Sequence, residues 1–122
     1  MMQTMTSHTT PLLTRLGGLL LVVGAAAFSP SSFAADAEVA LTIKNHRFEP
    51  AELKVAADQR VRLTVHNQDS TPEEFESHSL NREKVVPPGA KVVIFIGPLK
   101  AGRYEFYGEY NEATAKGVVV AE

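Results

Sequence analysis

Oxygen ligands for metal cations are concentrated in two short segments of the sequence, residues 72–77 and 108–112. In chain order, these ligands are Glu73, Glu74, Glu76, Glu109, Asn111 and Glu112. Carboxylate and amide oxygens suit hard cations such as ferric iron, manganese or calcium, whereas Cu(II) also favours an imidazole. If the fold brings the two segments to one end of the domain, the sequence predicts a carboxylate-rich metal site.

The first acidic segment is divided between two faces by the period-two alternation of a β-strand. Glu73 shares a face with Phe75, so we expect it to point inward, with Glu109 on the opposite side of the site. Glu74 and Glu76 point the other way. We expect these two to pair with Arg82, Lys84 or another exposed cation of the chain.

Two histidines extend the list of possible ligands. His46 lies in a loop ahead of Phe48, and His78 lies two residues beyond Glu76, on the same strand face. His66 is expected on a polar, solvent-facing strand surface. The alternative interpretation of the acidic residues is that they protect strand ends from edge-to-edge pairing and remain solvated. Closely packed carboxylates raise one another's pKa values unless a cation neutralises their charge.

Composition excludes several classes of function. The chain has 122 residues, a formal charge of −2 and no cysteine. The absence of cysteine excludes a disulfide scaffold, a zinc–thiolate site, an iron–sulfur cluster and a thiol nucleophile. With no basic run to track phosphates, the sequence predicts no nucleic-acid binding.

The N-terminal segment is predicted to be an export signal. Arg15 precedes an uncharged apolar run of residues 16–28, which is shorter than the roughly 20 residues of a membrane span. Ser29-Pro30 interrupts this run, and residues 32–34 have the small-x-small pattern of a cleavage site. We therefore expect a cleaved signal peptide over 1–34 and a periplasmic domain over 35–122, without stable membrane insertion after cleavage.

The mature segment alternates between apolar and polar residues with turn signals every eight to twelve residues. This pattern predicts an all-β, Greek-key sandwich or barrel of about seven strands. Residues 91–96 are apolar on both faces and predict a central strand, and residues 77–84 have room for one helical turn.

Three segments resemble the cupredoxins, a superfamily of periplasmic copper proteins. Residues 45–53 are similar to its xFxPxxlxV motif, residues 65–75 to its Asn followed by a Pro-His metal loop, and residues 102–108 to its GxYxFxC strand. A Pro-Gly turn, Pro88-Gly89, precedes that strand. The resemblance covers essentially the whole mature domain and implies a cupredoxin-like fold.

A narrower resemblance points to the EfeO-type cupredoxin-like domains associated with bacterial high-affinity iron permeases. It is carried by residues 72–77, 83–85, 97–99 and 107–109. This resemblance implies a role in handling iron, or copper, before transport, and a possible partner in an inner-membrane iron permease.

The sequence departs from the blue-copper ligand set at every position. Gly108 occupies the cysteine position, Glu73 the first histidine position and Asn111 the second. The axial methionine would fall near Thr114 or Ala115. A type 1 copper centre requires the thiolate and both imidazoles, so none is expected.

The sequence therefore predicts a monomeric, exported metal-binding domain that uses iron or copper and acts as a carrier rather than an enzyme. Its predicted metal ligands are Glu73, Glu109, Glu74, Glu76, Glu112, Asn111, His78 and His46. Two alternatives stay open: a metal-free interaction module on the same scaffold, and a copper-dependent oxidase of ferrous iron.

Overall fold

The structure, a computed structural model, describes residues 9–13, 17–18, 24, 26–30 and 35–122. The predicted signal peptide and its cleavage site fall largely outside these residues and stay a prediction. Within the described part of the chain, no helix is long and apolar enough to cross a membrane. Residues 33–122 form one compact unit, and the sections below concern its described part.

Within the described residues, nine strands form two sheets, which confirms the all-β prediction. In chain order they are β1 (Ala37–Lys44), β2 (Arg47–Glu49), β3 (Glu52–Val55), β4 (Val61–Asn67), β5 (Glu73–Ser77), β6 (Arg82–Val86), β7 (Lys91–Ile96), β8 (Gly102–Gly108) and β9 (Lys116–Ala121). One sheet has the order β2-β1-β4-β7 and the other β3-β9-β8-β5-β6. A single 3₁₀ turn, Glu109–Asn111, follows β8 directly.

The core forms where the apolar positions of alternating strands meet. In β4, Val61, Leu63 and Val65 are buried while the residues between them are partly exposed, as the period-two pattern requires. Three phenylalanines, Phe48, Phe75 and Phe106, pack together at its centre, with ring centroids 5.0–6.2 Å apart. These buried side chains fix which face of each strand points inward.

Two details of the sheets differ from the sequence prediction. β7 was expected to be central because it is apolar on both faces, but it is an edge strand of its sheet. The outward side chain of Phe95 in β7 is 39% exposed. The Arg60 guanidinium lies over its ring, with Cζ 4.2 Å from the ring centroid, so a cation–π contact covers part of this aromatic surface. Residues 82–86 form β6 rather than the end of a helical turn.

The second sheet brings both acidic segments together. β5 lies between β8 and β6, with Phe75 opposite Gly108 and Glu76 opposite Glu83. The 3₁₀ turn follows Gly108 without a break. The residues of this turn therefore lie next to the first residues of β5, Glu73 and Glu74. The predicted convergence of the two acidic segments is therefore found.

Candidate metal centre

The inner end of the site is filled by the Glu73 carboxylate. Glu73 is 1% exposed, on the same face of β5 as Phe75, as the alternation predicted. Its Oε1 accepts the backbone N–H groups of Glu74 and Tyr110, each at 3.0 Å, and its Oε2 accepts Asn111 Nδ2 at 2.6 Å. Hydrogen bonds from three donors stabilise a buried carboxylate without any cation.

Gly108 leaves the space that this carboxylate occupies. A Cβ atom at Gly108 would lie 2.6 Å from Glu73 Cδ, 2.8 Å from Glu73 Oε1 and 2.7 Å from Ala115 Cβ. The volume that the cupredoxin pattern assigns to a cysteine side chain is therefore held by Glu73. We use the name inner pole for Glu73, Gly108, Asn111 and Ala115.

The inner pole does not fit a type 1 copper centre. It offers no thiolate and no imidazole, and both oxygens of its carboxylate already accept hydrogen bonds. Ala115, at the position expected for the axial ligand, is fully buried and has no ligand atom. A blue-copper site needs sulfur and two imidazoles, so copper chemistry of that kind is not supported here.

Four carboxylates meet on the other face of β5. Glu74 and Glu76 of β5, Glu83 of β6 and Glu109 of the 3₁₀ turn each offer an oxygen, and these four atoms all lie within 4.8 Å of one another. We call these four residues the outer carboxylate cluster. Glu83 was missed by the sequence analysis, because its contribution depends on the register that sets Glu76 opposite Glu83.

The cluster is partly withdrawn from solvent at Glu74, which is 8% exposed. A hydrogen bond shared with the Glu83 side chain, burial and the nearby Glu109 charge together raise the pKa of Glu74 to about 7. Burial and the charge of Glu74 also raise the pKa of Tyr110, whose ring borders the cluster. The negative charges of the cluster therefore repel one another, and a bound proton or metal cation reduces this repulsion.

The expected ion pairs of Glu74 and Glu76 are not the ones observed. In place of Arg82 or Lys84, these residues lie beside Glu83 and Glu109. Arg82 instead donates from Nε to the Phe95 carbonyl at 2.8 Å.

His78 lies beside the cluster. Its Nδ1 is 3.8 Å from Glu76 Oε1, and its Nε2 is 2.9 Å from the Tyr107 hydroxyl. The imidazole is 81% exposed on its side chain, so it is accessible to an ion bound at Glu76. Burial, followed by the charge of Glu76, raises the pKa of Tyr107.

The remaining predicted ligands lie apart from the outer carboxylate cluster. Glu112 is exposed and borders an open groove of about 680 Å³ with Tyr107 and Lys116. His46 is tied to Asp69, which accepts its backbone N–H at 2.9 Å and lies 3.7 Å from its Nδ1. Asn111 belongs to the inner pole through Glu73.

Raising the pH is expected to destabilise the domain through Glu74. Because its pKa is about 7 in the fold against an ordinary 4.5, the folded state binds the proton more tightly than the unfolded state. This contribution is complete below the ordinary pKa and is lost as pH rises to about 7, so the free energy of unfolding should fall across that window. Urea unfolding at pH 5 and pH 8 measures it.

The matched comparison uses Glu74→Gln, which does not titrate, and Glu105→Gln, which removes an exposed carboxylate on β8 outside the cluster. Glu74→Gln should lose less stability between the two pH values than the wild type, while Glu105→Gln should follow the wild type. Equal losses in the wild type and Glu74→Gln would contradict the assignment.

The two sheets form a sandwich of the cupredoxin type, and the inner pole lies where β5 begins and β8 ends. A family model described as a cupredoxin-like domain matches residues 17–121. The chain belongs to this family, which confirms the superfamily that the sequence motifs indicated.

One curated protein and several solved structures are also similar to this chain. The uncharacterized protein RP394 of Rickettsia prowazekii (strain Madrid E) is 46% identical over 83 residues, which cover 68% of this chain. The match spans 66% of that relative's own length. Among solved structures, auracyanin A, a blue copper protein of Chloroflexus aurantiacus, has a TM-score of 0.63 at 14% identity, covering 72% of this chain and 100% of its own.

A second similar structure is the metal-binding domain of the Cu(I)-exporting P-type ATPase CopA of Streptococcus pneumoniae D39, solved with Cu(I). It has a TM-score of 0.59 at 17% identity, covering 70% of this chain and 84% of its own. At these identities the likeness of both structures to this chain concerns the fold.

Proposed function

We propose that this protein is an exported, monomeric, metal-handling cupredoxin-like protein that binds a cation at the outer carboxylate cluster. The observation that carries the proposal is the approach of four carboxylate oxygens, from three separate segments, to within 4.8 Å of one another. The inner pole, where the fold family places copper, is filled by Glu73. Metal binding is therefore proposed on the outside of β5, rather than at the inner end.

The negative charge of the outer carboxylate cluster supports the proposal that it binds a cation. Within the part of the chain that the structure describes, no lysine or arginine side chain forms an ion pair with the cluster; Glu76 alone pairs, with the His78 imidazole. Like charges at this spacing oppose folding, and a divalent or trivalent cation would convert that repulsion into attraction. The cation would bind the folded state and stabilise it by mass action.

The donor set favours iron or manganese. All four cluster groups are carboxylates, which suit hard cations better than Cu(I) or Cu(II). His78, beside Glu76, offers an imidazole that makes Cu(II) the second choice. The CopA domain was solved with Cu(I), which supports a metal-related role for this fold but does not identify the metal that this chain would bind.

The resemblance to EfeO-type domains supports a place in periplasmic iron uptake. All four cluster residues fall in segments that carry this resemblance: 72–77, 83–85 and 107–109. We propose that the protein receives or presents iron for an inner-membrane permease. The two requirements of this role, export and a permease partner, are part of the proposal.

Metal titration of the purified protein tests the proposed site. We expect both Mn²⁺ and ferrous iron, titrated calorimetrically without oxygen at pH 7.5, to bind the wild type. The double variant Glu74→Gln/Glu109→Gln should weaken Mn²⁺ binding by at least about 10-fold, the smallest loss typical even of an outer-shell partner. Glu105→Gln, which removes an equal charge elsewhere on the same sheet, should bind like the wild type.

Two results would redirect the proposal. If no metal stabilises or binds the wild type, the protein is a metal-free interaction module, the alternative that the filled inner pole favours. If the wild type binds Cu²⁺ but neither Mn²⁺ nor ferrous iron, and His78→Ala abolishes Cu²⁺ binding, the site is a copper site. Oxygen consumption on adding ferrous iron to the copper-loaded protein would then test the oxidase alternative.

A further inference from the structure

The Glu73 carboxylate joins the two segments that carry Glu74 and Glu109. Its Oε1 accepts the N–H of Glu74 itself and the N–H of Tyr110, the residue after Glu109, at 3.0 Å each. Its Oε2 accepts the side-chain amide of Asn111, two residues after Glu109. One buried group therefore fixes the backbone at two of the four outer carboxylates.

The sheet alone does not make this connection. The register between β5 and β8 pairs Phe75 with Gly108 and Glu76 with Tyr107, and β8 ends at Gly108. Glu109 lies beyond the last paired residue, in the 3₁₀ turn. The Phe75–Gly108 pair brings Glu109 close to Glu74, and the hydrogen bonds to Glu73 hold the turn that carries Glu109 in place beyond the ladder.

Repulsion makes such a connection necessary. The Glu74 and Glu109 carboxylates lie close together, and like charges in this arrangement push the two segments apart. Three N–H donors converging on one buried carboxylate oppose this separation. The same feature that excludes a ligand side chain at Gly108 therefore holds the outer carboxylates together.

We propose that Glu73 is a positioning residue for the outer carboxylate cluster: it joins, at the inner pole, the two segments that carry Glu74 and Glu109. This inference rests on the proposed metal site for its functional consequence. Glu73 need not contact the cation. Its effect on binding passes through the backbone at Glu74 and Tyr110.

The variants separate hydrogen bonding from charge. Glu73→Gln loses the charge but keeps an oxygen for both backbone N–H groups, and rotation of the Asn111 amide restores the third contact. Glu73→Ala loses all three bonds, and Glu73→Asp is one methylene too short to reach all three donors. Ser77→Ala is the matched control, because Ser77 is equally buried on the same face of β5 and bonds Glu105 O at 2.6 Å, away from the turn.

Mn²⁺ titration gives the functional outcome. We expect Glu73→Ala and Glu73→Asp to weaken Mn²⁺ binding 10–100-fold, the usual loss when a supporting partner of a metal ligand is removed. Glu73→Gln and Ser77→Ala should remain within about 10-fold of the wild type. Wild-type binding in folded Glu73→Ala would overturn the proposal, and if that variant fails to fold, Glu73→Asp decides.

Amide hydrogen exchange without metal gives a second outcome that does not depend on metal binding. The Glu74 and Tyr110 amides should be protected in the wild type and Glu73→Gln and should exchange at least about 10-fold faster in Glu73→Asp, with distant core amides unchanged. Unchanged exchange at both amides would overturn the positioning role. Faster exchange in Glu73→Asp, combined with a wild type that binds no Mn²⁺, would instead refute the proposed metal site and leave the link intact.

Discussion

Replacing Gly108 by alanine is expected to lower the free energy of unfolding by about 3 kcal/mol, at the upper end of the usual cost of overpacking. The added Cβ would lie 2.6 Å from Glu73 Cδ and 2.7 Å from Ala115 Cβ, closer than real contacts allow. Glu73 cannot swing away, because both of its oxygens accept hydrogen bonds from fixed groups. Urea unfolding followed by circular dichroism measures the loss.

Gly102→Ala is the matched control on the same strand. A Cβ there would find its nearest neighbour, a Tyr104 ring carbon, at 3.6 Å, which is ordinary van der Waals contact. This variant should stay within about 1 kcal/mol of the wild type. In a double-mutant cycle, Gly108→Ala should cost less in the Glu73→Ala background, with a coupling of about 1–3 kcal/mol. Additive losses would show that the carboxylate does not fill the space at residue 108.

This crowding explains why a single substitution would not restore the copper pattern. A cysteine at residue 108 has the same Cβ as alanine and would meet the same Glu73 atoms. The small residue at 108, the acid at 73 and the amide at 111 therefore form a mutually dependent set. The loss of copper ligands in this chain is accompanied by a packed and hydrogen-bonded replacement.

Much of the fold was predictable because burial follows the period-two pattern. β4 alternates clearly between core and surface, and in β5 the inward direction of Glu73 followed from its parity with Phe75. β6 was not predictable in the same way, since four of its five residues are exposed and its one buried residue gives no alternation. β7 is apolar on both faces although it is an edge strand, so its composition wrongly predicted a central position.

The site was predictable in its residues but only partly in its grouping. Sequence parity separated Glu73 from Glu74 and Glu76, but it could not show that Asn111 and the backbone N–H groups would satisfy Glu73. The position of Glu83 depends on the β5–β6 register, which the composition of the four turn residues between Ser77 and Arg82 does not fix by itself. A local hairpin hypothesis for residues 73–86 would have placed Glu83 opposite Glu76.

Asn67→Ala is expected to cost about 3 kcal/mol, because it removes three hydrogen bonds of a buried amide and leaves the carbonyl of buried Val86 without this donor. Asn67 is fully buried; its Nδ2 donates to the carbonyls of Thr71 (2.8 Å) and Val86 (3.0 Å), and its Oδ1 accepts the Asp69 N–H at 3.0 Å. One amide thus joins the end of β4 to the loop before β5 and to the end of β6. Thermal unfolding and urea unfolding measure the loss.

The comparison with Asn67→Asp identifies which of these bonds matters most. Aspartate keeps the acceptor for Asp69 but has no N–H for the carbonyls of Thr71 and Val86, and its charge would face both carbonyl oxygens, so it should destabilise the fold at least as much as alanine. Gln68→Ala, at the exposed neighbouring position, should change stability by less than about 0.5 kcal/mol. A stable Asn67→Asp would mean that the two donated bonds contribute little. If they contribute as expected, this amide also fixes β6 against the start of β5, since Val86 pairs with Glu73 in the register that places Glu83 opposite Glu76.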